Sequence, residues 1–288
     1  MIIPMMTVII LTATMTTWII NNVKLNMKQF TVDAFTDKIF GGNPAAVCVL
    51  KNFPPDELML NVARENNLSE TAFVVKDKNF YRLRWFTPAA EVDLCGHATL
   101  ATGFVILTLI EPNLNSVDFE TLSGKLTVSK VDGLFEMDFP AYNYKKIPVT
   151  QNMVDALGAE ISEAYMSRDL LLILKSSDAV KNLKPDLKKL CKLEGLIQAV
   201  TARDSIGEFD CVSRVFAPKL KIDEDPVTGS THCMIAPYWA EKLGKNFIKA
   251  RQVSSRGGSL YCKIFENRVK ISGNAALFAE SNLHVDFE

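Results

Sequence analysis

Residues 91–110, EVDLCGHATLATGFVILTLI, set a cysteine, a glycine and a histidine directly before thirteen uncharged residues. A helix with no polar face must be buried on every side. The run 97–110 therefore predicts a helix at the centre of a domain. The same reading applies to STHCMIAPYWA, residues 230–240, which follows Gly229 as HATL follows Gly96. Both helices open directly after a glycine, so both present unpaired N–H groups and a positive dipole end. Two such ends turned toward one cleft would cradle a carboxylate.

Working outward from these helices, the chain repeats. Before the first lie strands FTVDAF and AAVCVL around a GGNP turn, a helix PPDELMLNVAREN opened by prolines, and strands ETAFVVK and FYRLRWF. After it comes a hairpin, KLTVSKVDGLFEMDF, turning at Asp132-Gly133. In the second half LLILK (171–175) answers VCVLK (47–51), and Pro185-Asp186, opening a second helix, answers Pro55-Asp56. IQAVTARD answers TAFVVKD, Phe216-Ala-Pro218 answers Phe86-Thr-Pro88, and Gly258-Ser-Leu260 answers Gly124-Lys-Leu126. Glu266-Asn267 falls where Asp132-Gly133 makes the first hairpin turn. The expected fold is α+β: two similar halves, 28–145 and 146–288, each a sheet wrapped around its apolar helix. Residues 275–288 are expected to return to the first half, and a shared cleft is the natural place for a small molecule.

Composition narrows the function. Of 288 residues 48% are hydrophobic and 23% charged, with a net charge of −1. A soluble globular protein has these proportions, and neither a nucleic-acid footprint nor a polybasic membrane anchor is present. The six cysteines include no C-x-x-C pair, and with three histidines no zinc spacing can be assembled. A reducing, cytoplasmic setting without disulfides is expected. The first twenty residues are apolar but carry five threonines and Pro4. Residues 1–27 are expected to be a non-essential extension, with a membrane or targeting segment as the alternative.

The candidate chemistry clusters at equivalent turns. Glu70 in NLSETAF precedes an apolar strand; burial would raise its pKa toward the general acid–base range, although most glutamates at such places are loop or capping residues. His97 opens the first helix and is either a cap or a proton-sharing donor to substrate. Cys95 stands just before Gly96, where the dipole favours a thiolate, or it is a small buried hydrophobe. Asp225-Pro226 could be only a turn, with Ser230 as the N-cap. His232 is expected to pack or line the pocket. Arg256 and Gly257 can bind a carboxylate or make a strand-entry turn. The GGNP turn is structural by default, with Asn43 as its candidate for substrate contact. No P-loop, G-x-G-x-x-G or H-E-x-x-H occurs, and neither a cofactor nor a metal is expected.

In sum, VDAFTDKIFGGNPAAVC, NLSETAFV, LRWFTPAAEVDLCGHATLA, SGKL, RVFAP with EDPVTGSTH, and Q-x-S-x-RGG resemble, in this order, the phenazine biosynthesis-like (PhzF-like) proteins. The resemblance spans about residues 28–288 and looks nearest to animal members. It implies the diaminopimelate-epimerase-like fold and cofactor-independent isomerisation. It further implies that Glu70 moves the proton, with His97, Asp225 and Ser230 supporting it. Asn43, Cys95, Gly96, Gly229, Arg256 and Gly257 are then expected to line the substrate site. Cys95 and Asp225 fall where epimerases of the fold keep paired cysteines. Homodimers are frequent in the family. The chain departs from the pattern in KLKID before EDP and in Pro237, expected to kink the second helix. Two other readings stand beside the isomerase: a silent binding protein that kept the fold, and an epimerase using Cys95.

Overall fold

The computed structural model describes residues 23–204 and 207–287. The reading of residues 1–22 lies outside them. The first strand, Val23–Ala34, starts before the point where alternation sets in at Lys28. Among the described residues 18 strands join into one hydrogen-bonded sheet, and its pairing scheme runs twice. In the first run Val23–Ala34 pairs antiparallel with Asn43–Leu50, which lies parallel to Glu70–Asp77 across the helix Asp56–Asn66. Phe80–Phe86 follows antiparallel, and Ser116–Thr121, Gly124–Val131 and Leu134–Pro140 form a meander. In the second run Glu163–Met166 pairs with Leu170–Ile173, which lies parallel to Gln198–Arg203. Cys211–Ala217 follows, then the meander Phe247–Gln252, Gly258–Phe265 and Arg268–Gly273. The parallel step into each meander recurs too, Tyr81 beside Phe119 and Cys211 beside Ala250.

The two runs are laced together. Lys145–Ile147, at the end of the first, pairs with Glu163–Met166; Ala275–Phe287, at the end of the second, pairs with Val23–Ala34. Leu134–Pro140 and Arg268–Gly273 join the two meanders edge to edge. One continuous apolar core consequently contains Leu100 and Ile106 from one central helix and Met234 and Ile235 from the other. Each large aliphatic side chain removed from water there contributes about 1.5–3 kcal/mol.

The first central helix spans Gly96–Phe104 and widens into π-helical turns over Val105–Ile110. Its last residues, Thr108 to Ile110, are exposed, so burial on every side ends at Leu107. Its Gly103 allows close packing, since a Cβ there would lie 2.5 Å from Val128 Cγ1. The second central helix spans Gly229–Leu243 and runs through Pro237 unbroken. Pro237 has no N–H for the Cys233 carbonyl. That carbonyl accepts instead from the Tyr142 N–H at 3.0 Å, so the expected disruption becomes a tertiary contact. The helix expected after Pro185-Asp186 is one turn, Leu187–Leu190, with Asp186 as its cap. No helix of the described residues is long and apolar enough to cross a membrane.

Candidate active site

Glu70 is the first residue of its strand, in register with Ala45. The preceding helix stops at Asn67, whose left-handed φ of 47° reverses the chain toward the core. This delivers the Glu70 carboxyl to the start of the first central helix. Its Oε2 lies 3.2 Å from His97 Nε2. Burial, and then the nearby charge of Asp225, push its pKa up to about 8, while Cys95 beside it opposes the rise. Burial pulls His97 down to about 3. Near neutral pH the pair is therefore a protonated carboxyl beside a neutral imidazole, at ion-pair distance but without the charges. Neither Oε2 nor Nε2 has a hydrogen-bond partner of good geometry, although both are buried.

Asn43 ties this corner to the second half. Its Nδ2 lies 2.7 Å from Asp225 Oδ1, 2.9 Å from the Val227 carbonyl and 3.2 Å from His97 Nδ1. Two hydrogens serve the first two, which leaves His97 Nδ1 beside Cys95 Sγ at 3.6 Å. Asp225 also accepts from the Thr228 hydroxyl, and its backbone carbonyl accepts from Gln252 Nε2 at 2.6 Å. Gln252 Oε1 in turn accepts from the Thr228 N–H at 3.0 Å. Burial raises Asp225 to about 6, against the opposing bonds from Thr228 and Asn43.

The two helix starts touch. A Cβ on Gly96 would lie 3.7 Å from the Gly229 Cα, and one on Gly229 would lie 3.9 Å from the Gly96 Cα. Cys95 and Thr228 occupy the equivalent N-cap positions, and neither side chain caps its helix. Thr228, rather than Asp225, is thus the positional counterpart of Cys95. Burial holds the Cys95 thiol well above its ordinary value, with the Glu70 charge adding to it, which favours the small buried hydrophobe of its two readings over the thiolate. Donor atoms of Glu70, Cys95 and His97 lie within 4.8 Å of one another and could hold a metal ion, which would have to displace the protons of Glu70 and Cys95.

Other residues expected at the site sit differently. Ser230 is the second helical residue, not the cap, and its Oγ accepts from Arg168 Nη2 at 3.2 Å. Arg256 faces the GGNP turn: Nε donates to the Gly42 carbonyl at 2.9 Å, and Nη2 donates to Asp33 Oδ1 at 2.7 Å and the Gly41 carbonyl at 2.8 Å. It works as a strut between the halves. Gly257, at a φ of 64°, gives its carbonyl to the Gly42 N–H at 2.7 Å. His232 is fully buried, with Nδ1 on the Thr228 carbonyl at 2.8 Å.

Sequence reasoning passed over Thr228, Gln252 and Arg168. It also missed a duplicated ion pair: Arg84 grips Glu91, and Arg214 grips Glu224, each through Nε and Nη2 at 2.7–2.8 Å. Each pair braces the turn leading to its central helix. Aligning the halves through Gly96 and Gly229 matches Glu91 with Glu224, and through Phe86 and Phe216 matches Arg84 with Arg214, which would have exposed it.

The pattern described as phenazine biosynthesis-like protein matches residues 32–281. The chain belongs to the phenazine biosynthesis-like family. An uncharacterized isomerase of Pseudomonas aeruginosa is 45% identical over 261 residues, covering 91% of this chain and all of the relative. The human phenazine biosynthesis-like domain-containing protein is 38% identical over 288 residues, covering 90% of this chain and 99% of its own. The bacterial relative is thus the nearer of the two, which corrects the expected closeness to animal members. A crystal structure of a PhzF-family protein from Enterococcus faecalis superposes with a TM-score of 0.88 at 45% identity, covering 91% of this chain and 100% of that one. A hydroxyproline epimerase from Agrobacterium vitis, at 11% identity and a TM-score of 0.60 over 92% of this chain and 94% of its own, shares the fold alone. The α+β, diaminopimelate-epimerase-like fold expected for the family is the fold found. Isomerase, the class expected from the sequence, is the class for which family relatives at this identity are named.

Proposed function

We propose that the protein is a cofactor-independent isomerase that moves a proton between carbons of a small carboxylate-bearing substrate, with Glu70 as its acid–base group. The observation that carries this is the Glu70 carboxyl, buried with its pKa pushed up to about 8 beside a neutral imidazole, where two helix starts abut. A base with a raised pKa is the stronger base toward carbon, and it returns the proton readily near neutral pH.

In this reading the substrate carboxylate lies on the free N–H groups of the two helix starts, which stabilise the charge that develops as the neighbouring carbon loses its proton. The Glu70 carboxylate, the minor form near neutral pH, takes that proton and becomes the acid. It then gives the proton to another carbon of the same conjugated system, and the shifted double bond completes the isomerisation. His97 Nε2, 3.2 Å from Oε2, is near enough to accept from the protonated Glu70 carboxyl between the two steps once the substrate draws them into line. Asp225, fixed by Asn43 and Thr228, adds a negative charge that raises the pKa of Glu70 further than burial alone does.

Deuterium uptake from heavy water into a panel of small unsaturated and cyclic carboxylates tests the proposal. The wild type should label at least one compound, and Glu70→Gln should slow labelling by about 10²–10⁴-fold while still binding it. Labelling by Glu70→Gln at the wild-type rate would refute the assignment. Binding without exchange by the wild type would favour a binding protein.

A further inference from the structure

The proposed mechanism uses the Glu70 side of the junction, yet the opposite side is built as firmly. There the turn before Leu170–Ile173 sends Arg168 to the second residue of the helix Gly229–Leu243, Ser230. In the first half the corresponding turn sends Asn43 to His97, the second residue of the helix Gly96–Phe104. The same helix position is thus faced in one half by an amide, whose hydrogens go to Asp225 and Val227, and bonded in the other by a guanidinium.

Several contacts fix that guanidinium. The fully buried Asp169 accepts from Nε at 3.2 Å and from Nη2 at 2.9 Å. The Tyr142 ring lies 5.3 Å from its central carbon, and Tyr142 is itself docked on the Cys233 carbonyl that Pro237 leaves free. Nη1 donates to no group among the described residues, and the side chain is 40% exposed. Satisfying Asp169 would account for an arginine here. It does not account for the second bond to Ser230, next to the Gly229–Gly96 contact. On the far side of that contact His97 Nε2 and Glu70 Oε2 are buried without partners, which a ligand would complete.

We propose that Arg168 is a specificity-determining residue that binds a second carboxylate of the substrate, so that the enzyme takes small dicarboxylates. One carboxylate lies on the abutting helix starts and the other on Arg168 Nη1. The place of the first rests on the isomerase reading above; the second stands on the Arg168 geometry.

Calorimetric binding of succinate, glutarate and adipate, against butyrate, pentanoate and hexanoate, tests this. The wild type should bind at least one diacid about tenfold more tightly than the monoacid of equal length. Arg168→Gln should abolish that preference, and Arg168→Lys should retain part of it. Because Arg168→Gln strands a buried Asp169, the double variant Arg168→Gln/Asp169→Asn is measured beside it and should lose the preference while melting near the wild type. Absence of a diacid preference in the wild type, or its survival in the variants lacking Arg168, overturns the proposal. Glu70→Gln should keep the preference, so a failure of the isomerase reading would show as exchange that is absent from the wild type, or that survives in Glu70→Gln, with diacid selectivity intact.

Discussion

Glu70 owes its chemistry to where its strand begins. One residue later its neighbour Thr71 is fully sheltered, and one turn of backbone earlier Asn66 is held by Gln29 and Thr71 on the rim. The carboxyl therefore enters the core at its edge, and the folded protein holds its proton more tightly than the unfolded chain, about 8 against 4.5. Stability must then fall as the pH rises from about 4.5 through about 8, where the folded state has to release a proton it favours. Glu70→Gln removes this dependence. The variant should melt close to the wild type at pH 5 and above it at pH 9, by on the order of a few kcal/mol. A melting difference that shrinks with rising pH would show that the carboxyl is not desolvated. Glu70 drew attention in the sequence through its apolar neighbours, but Thr228 and Gln252 could not, because their contact exists only after Phe247–Gln252 has paired beside Cys211–Ala217, bringing Gln252 onto the Thr228 N–H.

At the scale of elements, the two apolar helices were legible because burial on all sides leaves a composition with no polar face. Their ends were less so. The π-helical turns of Val105–Ile110 and the single-turn helix Leu187–Leu190 depend on tertiary neighbours that local patterning does not encode. Pro237 shows the same limit from the other direction. Inside a helix proline ordinarily costs about 3 kcal/mol relative to alanine, yet here the freed Cys233 carbonyl holds Tyr142. Pro237→Ala restores a helical N–H that competes for that carbonyl. It should stabilise by clearly less than about 3 kcal/mol in denaturant unfolding, and the Tyr142 amide should exchange faster with deuterium. A gain of the full amount with Tyr142 still protected would mean that the contact contributes nothing.

Across the whole molecule, the repeat was visible in the order of strands, prolines and glycines, whereas the lacing of the two runs was not. Exchange of end strands and the edge pairing of Leu134–Pro140 with Arg268–Gly273 make one core out of two similar parts. Arg256 adds a polar strut, joining the second run to the Asp33 carboxylate and the Gly41 and Gly42 carbonyls of the first. An arginine beside two glycines reads in sequence as an anion site; its partners come from more than 200 residues away. Arg256→Ala leaves the buried Asp33 carboxylate without its cation, held only by the Phe40 N–H at 2.9 Å, and should cost up to about 3–5 kcal/mol of unfolding free energy. Retained stability in that variant would show that the strut contributes nothing to the fold. The Asn43 bridge ties the halves at the corner where Gly96 meets Gly229 and Glu70 keeps its proton. Titration of the Glu70 side-chain carboxyl carbon by ¹³C NMR in the ligand-free protein, assigned by its loss in Glu70→Gln, reads that state directly: a midpoint near 8 is predicted, and a midpoint in the ordinary carboxylate range of about 4–5 would contradict the account.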